Sequence, residues 1–262
     1  MANPIKLKDL YSRVSSLLAK AIGRQLTTVE CCLLIDEAAV TIVAGNIRRS
    51  AGMRQFASDD QKASVAKENL WSQDEKGNWR IDPEKDALRM ANHTRVYHTK
   101  PSYQTIFDAV TKQFHSGEGA IQFAPEAIAR SNADILNNAH LKSEFIEIYT
   151  EQGKEEAKKW INLNYGPFPE EELNHRLTRY GLNPCGEILG NDFHCNLAEV
   201  HLNQINPDNV NEQRKAFKAA ALSVACLLNH EFEVERYRKS REFDPIVGVS
   251  FTGLFDFFVH AF

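Results

Sequence analysis

An α/β fold is what the 262-residue sequence predicts, and three observations predict it. Apolar residues recur at three- and four-residue spacing in several segments, which places them on one face of a helix. Short apolar runs bounded by glycine suit buried strands. Loops rich in small residues separate the two kinds of segment. Composition agrees: 43% hydrophobic and 25% charged residues, with 13 Gly and 9 Pro, describe an ordinary globular chain and not a collagen-like or disordered one. The 31 basic and 35 acidic side chains leave a net charge of −4, without the basic excess of a nucleic-acid binder, so neither DNA nor RNA is expected as a partner. No apolar run approaches the roughly 20 residues of a membrane span. The first residues lack the apolar core of a secretory signal. Five cysteines at irregular positions (Cys31, Cys32, Cys185, Cys195, Cys226) argue against a disulfide framework. A reducing, cytoplasmic setting is the expectation.

The elements follow in order. Val14, Leu17, Leu18, Ala21 and Ile22 share a helical face, and Gly23 is the expected stop. Thr27 and Glu30 have capping-box spacing, in which hydroxyl and carboxylate satisfy reciprocal backbone amides, so a second helix starts there. It runs through a mostly apolar stretch, residues 29–43, with Asp36 and Glu37 as polar exceptions. Residues 45–52 form a loop of small residues. Residues 57–89 read as a polar surface excursion with Trp71 and Trp79 as anchors and a turn at Gly77-Asn78. Tyr103, Ile106, Phe107, Val110 and Phe114 make one apolar stripe of a further helix, followed by a short strand at residues 120–123. Residues 144–160 are charge-rich and helix-compatible, with a solvated face, until Pro167 and Pro169 break the chain. A helix is expected over residues 212–229, and residues 246–262 are again apolar. The chain stops inside that run, which reads as a truncated or split protein.

Chemistry concentrates around one cysteine. Cys185 could supply a thiolate or a sulfur radical, and Glu187 could move protons as a general acid/base two residues away. Asn183 offers an amide that both donates and accepts. Cys195, ten residues on, raises the interest of the pair. Cys185, His194, Cys195 and His201 could also be read as zinc ligands, but they lack the paired spacing that zinc sites supply, and no metal site is expected. A cysteine hydrolase remains a further alternative. Cys31, Cys32 and Cys226 lie in apolar helical sequence and read as buried small hydrophobes. Gly45, Asn46, Ile47, Arg48, Arg49, Ser50 and Ala51, with Gly52, look like an anion-binding loop, since small residues let amides approach a ligand and the arginines can fork onto phosphate.

Asn183-Pro184-Cys185-Gly186-Glu187-Ile188, followed by Phe193-His194-Cys195-Asn196-Leu197-Ala198-Glu199-Val200, resembles the active-site region of ribonucleotide reductases. The match looks closest to the adenosylcobalamin-dependent (class II) enzymes of the ribonucleoside-triphosphate type. Residues 43–51 look like the specificity loop of that family. Arg89-Met90-Ala91-Asn92-His93-Thr94 is similar to its Met-Ala-Asn-Asn-Ser segment, with His93 and Thr94 as departures. Residues 116–119 are close to a Ser-Gly-Glu-Pro-Gly element, and residues 246–253 to a later strand-and-turn signature.

The resemblance implies an incomplete portion of a ten-stranded α/β barrel with a central finger loop, residues 1–262 forming the central part of the catalytic domain. It implies that Cys185 becomes a thiyl radical and takes the 3′-hydrogen of a ribonucleoside triphosphate. Glu187 would accept the 3′-hydroxyl proton, Asn183 would hold the ribose hydroxyls, and Cys195 would be one member of the reducing dithiol. Adenosylcobalamin would supply the radical by homolysis of its cobalt–carbon bond. The loop at residues 45–51 would lie between a deoxynucleotide effector and the substrate base. Other implied partners are a thioredoxin-like reductant and the N- and C-terminal reductase segments, including the cysteine that pairs with Cys195, a place that neither Cys31 nor Cys32 occupies. An inactive nucleotide-binding fragment that assembles with, or regulates, complementary pieces is the alternative.

Overall fold

In the computed structural model, residues 4–42, 51–68 and 70–261 are described. The chain is mixed α/β and divides into two units, residues 1–189 and 190–262. Its described strands form one sheet of three and several pairs, with no closed barrel among them.

Helix α1 (Pro4–Lys20) precedes α2 (Thr28–Ile42), with Gly23 at φ 82 between them, as the spacing predicts. The capping box forms: Thr27 N–H donates to Glu30 Oε2 at 2.8 Å, and Glu30 N–H donates to Thr27 Oγ1 at 3.3 Å. Arg24 beside it, aided by the Thr27 amide, holds the Glu30 carboxyl down at about 2. The polar exceptions of α2 are buried and paired. Glu37 accepts from Arg13 at 2.9 Å, and Asp36, fully buried, accepts from Arg54. Burial raises the Asp36 carboxyl and Arg54 opposes it. Of the three helix cysteines, Cys32 is buried as expected, whereas Cys31 and Cys226 are exposed, because each falls on the outward side of its helix.

Strands β1 (Gly52–Ala57), β4 (Ala91–Tyr97) and β5 (Ala120–Phe123) pair in parallel in that order. Parallel neighbours need crossovers, and the chain supplies them. The short α3 (Gln61–Ser64) and the antiparallel hairpin β2 (Trp71–Gln73)–β3 (Trp79–Ile81) lie between β1 and β4. Between β4 and β5 runs α4 (Tyr103–Ser116). Gly77 makes the hairpin turn at φ 77. Trp71 and Trp79 are exposed and anchor nothing, because their three-residue strands lie at the surface. The α4 stripe is also exposed, from Tyr103 to Phe114; the helix inserts Ala109 instead.

Four helices follow: α5 (Ala124–Ser131), α6 (Ala139–Gln152), α7 (Lys154–Tyr165) and α8 (Glu170–Arg176). The charge-rich run is therefore two helices, divided at Gly153, whose φ of 94 ends α6. Ile128, Leu136, Phe145, Ile161 and Leu177 are fully buried together. Each such side chain contributes roughly 1.5–3 kcal/mol. Asn132, buried among them, is satisfied: Nδ2 donates to the Ile128 and Arg176 carbonyls, both at 2.9 Å, and Oδ1 accepts from Arg176 at 3.1 Å.

Strand β6 (Gly181–Leu182) leads into the loop considered below, and β7 (Leu189–Gly190) spans the division between the units. In the second unit, β8 (Asn196–His201) pairs in parallel with β9 (Val247–Thr252), Asn196 opposite Val247. Helices α9 (Val210–Leu227) and α10 (Glu235–Phe243) lie between them in sequence, and α11 (Leu254–Ala261) follows. Val200, Leu202 and Val224 are buried there, while Leu197, Val249 and Phe251 are exposed.

Candidate functional site

The loop after β6 is built around Asn183. Its carbonyl accepts the Gly186 N–H at 2.9 Å, which closes a tight turn over Pro184 and Cys185. Gly186 stands at φ 78, where a side chain is strained. Asn183 Oδ1 accepts two amides, Glu187 N–H at 3.1 Å and Ile188 N–H at 3.0 Å. The short polar side chain thus replaces backbone partners and fixes the backbone at Glu187 and Ile188. Cys185 and Glu187 are both exposed on this loop, and Asn183 is half-buried.

Side chains from the three-stranded sheet hold the loop in place. Leu182 N–H donates to Gln55 Oε1 at 2.9 Å, and Gln55 Nε2 and Gln122 Nε2 each donate to the Tyr180 carbonyl at 2.9 Å. The two glutamines also bond each other. Asn92 Nδ2 donates to the Pro184 carbonyl at 2.7 Å. Three strands therefore set the position of one turn. Between turn and sheet lies a cleft of about 390 Å³, lined by Met53, Asn92, Thr94, Ile121, Pro184 and Cys185 among others. That is the scale of a nucleoside-sized ligand and too small to enclose a corrin ring.

Cys195 belongs to the second unit, half-buried just before β8. His194 beside it meets the rings of Phe232 and Tyr237 edge-on, at centroid distances of 4.2 and 5.0 Å. His201 Nδ1 lies 3.0 Å from Thr252 Oγ1. Among the described residues no three His, Cys, Asp or Glu side chains gather as a metal-ligand set. No described helix is long and apolar enough to cross a membrane. Of the proposed specificity loop, Gly45, Asn46, Ile47, Arg48, Arg49 and Ser50 lie outside the described residues; Ala51 is exposed.

Gln55, Gln122 and Asn92 are the residues that motif reading missed. They act across separations of 58 to 127 residues, so no local pattern marks them. The Asn92 position was visible only as part of a segment of family type. His93 and Arg95, on the next turns of the same strand's pleat, are buried and polar, an inversion of the usual preference that the sequence alone does not reveal.

Comparison with known proteins extends the resemblance over the whole chain. A protein of Levilactobacillus brevis is 26% identical over 271 residues, covering 100% of this chain and 29% of its own length. One of Lacticaseibacillus paracasei is 26% identical over 270 residues, with the same coverage. One of Lactobacillus acidophilus is 25% identical over 264 residues, covering 99% of this chain and 28% of its own. Each is named adenosylcobalamin-dependent ribonucleoside-triphosphate reductase. The chain thus spans 29% or less of the length of these relatives. No family model and no solved structure matches it.

Proposed function

We propose that this chain is the central part of the catalytic barrel domain of a ribonucleoside-triphosphate reductase, its finger loop being residues 183–188. The observation that carries the reading is the tethered turn, which puts Cys185 on the wall of a nucleoside-sized cleft in a chain similar along its length to such reductases. Adenosylcobalamin, named for the relatives, is proposed as the cofactor of the whole enzyme. The cleft beside Cys185 is too small for its corrin ring, so the described residues are given no part in holding it and no step is drawn through it.

The reading begins with Cys185 as a thiyl radical, which takes hydrogen from C3′ of the ribose. Glu187 accepts the 3′-hydroxyl proton while the 2′-hydroxyl leaves as water, its extra proton coming from a thiol pair. That pair, Cys195 and a second cysteine, supplies two electrons, delivers its other hydrogen to C2′ and closes to a disulfide; Glu187 returns its proton to the 3′-oxygen, and Cys185 returns its hydrogen to C3′. In sum, one ribonucleotide and two thiols become one deoxyribonucleotide, one water and one disulfide, which a thioredoxin-like reductant reopens. Asn183 is a positioning residue in this scheme. Its Oδ1 is already committed to the Glu187 and Ile188 amides, which leaves Nδ2 to meet a ribose hydroxyl. The deoxynucleotide effector belongs to the same reading, through residues 45–51.

The test is a graft. Residues 1–262 replace the matching stretch of the Levilactobacillus brevis relative, and deoxyribonucleotide formation from ribonucleoside triphosphates is measured. The expected result is turnover that Cys185→Ser abolishes and that Glu187→Gln lowers by about 10²–10⁴-fold. Turnover indifferent to Cys185→Ser overturns the reading. A graft that binds nucleotide without turnover favours the inactive nucleotide-binding fragment instead.

A further inference from the structure

Strand β4 has a second polar face. Successive side chains of a strand point to opposite sides. Asn92 reaches the Pro184 carbonyl and Thr94 Oγ1 lies 3.1 Å from Met53 Sδ, both on the side of the Cys185 cleft. His93 and Arg95 point the other way, toward α3 and α4. There a second cleft of about 320 Å³ is lined by Lys67, Arg95, Lys112, His115 and Ser64; it shares His93, Glu118 and Gly119 with the Cys185 cleft.

The charges of this cleft do not balance internally. Lys67 bonds Glu118 and the Ala91 carbonyl, the latter at 2.7 Å, and Lys112 bonds Glu68 at 3.0 Å. Those pairs use both carboxylates. Arg95 is 7% exposed, and no hydrogen bond or ion pair joins it to a described residue; its Nε is buried without a partner. His93 is 5% exposed on the same face, its ring against the Ala63 backbone. A cation held in such a place without a counter-charge favours an anion beside it. Gly119, at φ 102, gives the guanidinium its room: a Cβ there would stand 2.9 Å from Arg95 Nη2. Burial, then the positive charge of Lys67, pushes the His93 imidazole down to about 4.

We propose that Arg95 is the centre of an anion site for a phosphate group, on the face of β4 turned away from Cys185. The planar guanidinium offers a fork of donors to two phosphate oxygens, the neutral His93 ring stands beside it as a reporter, and Lys67 and Lys112 supply the surrounding charge. The volume exceeds one phosphate, so inorganic phosphate and the polyphosphate tail of a nucleotide both fit its chemistry. This site does not depend on the reductase reading, since none of its residues belongs to the finger loop.

The experiment follows the ring resonances of His93 while inorganic phosphate, tripolyphosphate or ATP is added to the 262-residue chain at constant ionic strength. Saturable shifts are expected, together with a rise in the His93 titration midpoint as the anion offsets the positive field. Arg95→Gln is expected to weaken binding about tenfold or more, and Arg95→Lys to restore much of it. Equal affinities for tripolyphosphate and ATP assign the site to a phosphate tail or free polyphosphate; tighter binding of ATP assigns it to a nucleotide. If Arg95→Gln does not fold, the unmodified chain still decides. Absence of any saturable His93 shift there overturns the proposal, and so does binding that Arg95→Gln leaves unchanged.

Discussion

The helical block over residues 124–180 closes on Phe145, Ile161 and Leu177, while the strand pair of residues 190–262 leaves Leu197, Val249 and Phe251 in solvent. Both stretches carry apolar residues at regular spacing. In the first, α5, α6, α7 and α8 are joined by short connections, so each apolar stripe meets the next helix in the chain. In the second, β8 and β9 pair only across a long crossover, and Gly248 leaves its face to Leu197, whose Cδ2 lies 2.8 Å from where a Cβ would stand. Periodicity therefore announces a face that could be covered; it does not supply the cover. The stripe of α4 makes the same point within the first unit, where Tyr103 and Phe114 are 81% and 85% exposed.

The contrast can be broken by mutation. Phe145→Ala removes a ring from the closed block and is expected to cost about 3–5 kcal/mol in denaturant unfolding. A loss below about 1 kcal/mol would show that the block is not the stability centre it looks. The effect next in size is one of pH. His93 is held at about 4 in the folded chain against 6.5 when unfolded, so between these values the unfolded state binds the extra proton. The neutral ring's contribution is thus fully present above pH 6.5 and declines as pH falls toward 4, by up to about 3 kcal/mol. Asp36, raised by burial, works in the opposite sense, so the measurement is the difference between the unmodified chain and His93→Gln across that window. Phe251→Ala, in the open strand pair, is expected to change stability by only about 0.5 kcal/mol or less. A loss like that of Phe145 would mean that its face is covered in solution.

What the sequence reveals follows the range of the interactions involved. The capping box of Thr27 and Glu30, the stop at Gly23 and the hairpin turn at Gly77 are decided within a few residues, and all are readable. The turn at Asn183 is readable for the same reason, since its amide bonds reach only to Ile188. Strand β4 is not, because a strand of His, Thr and Arg forms only once β1 and β5 flank it. The division at Gly153 is hidden by charged residues that favour helix on both sides. The Trp pair looks like an anchor because large aromatic side chains usually bury their surface, and only the short exposed strands explain why these two do not.

The clamp on Leu182 has a consequence for how the thiol could be re-aimed. Its amide is gripped by the end of a side chain, Gln55, and not by a neighbouring backbone carbonyl. The reach of that grip is a matter of methylene groups. Asparagine in its place would shorten the arm on the order of 1 Å, a displacement at which reacting groups lose about a hundredfold in rate. One residue in β1 thus acts as a set-screw for the whole turn, adjustable without cutting a rung of the parallel ladder.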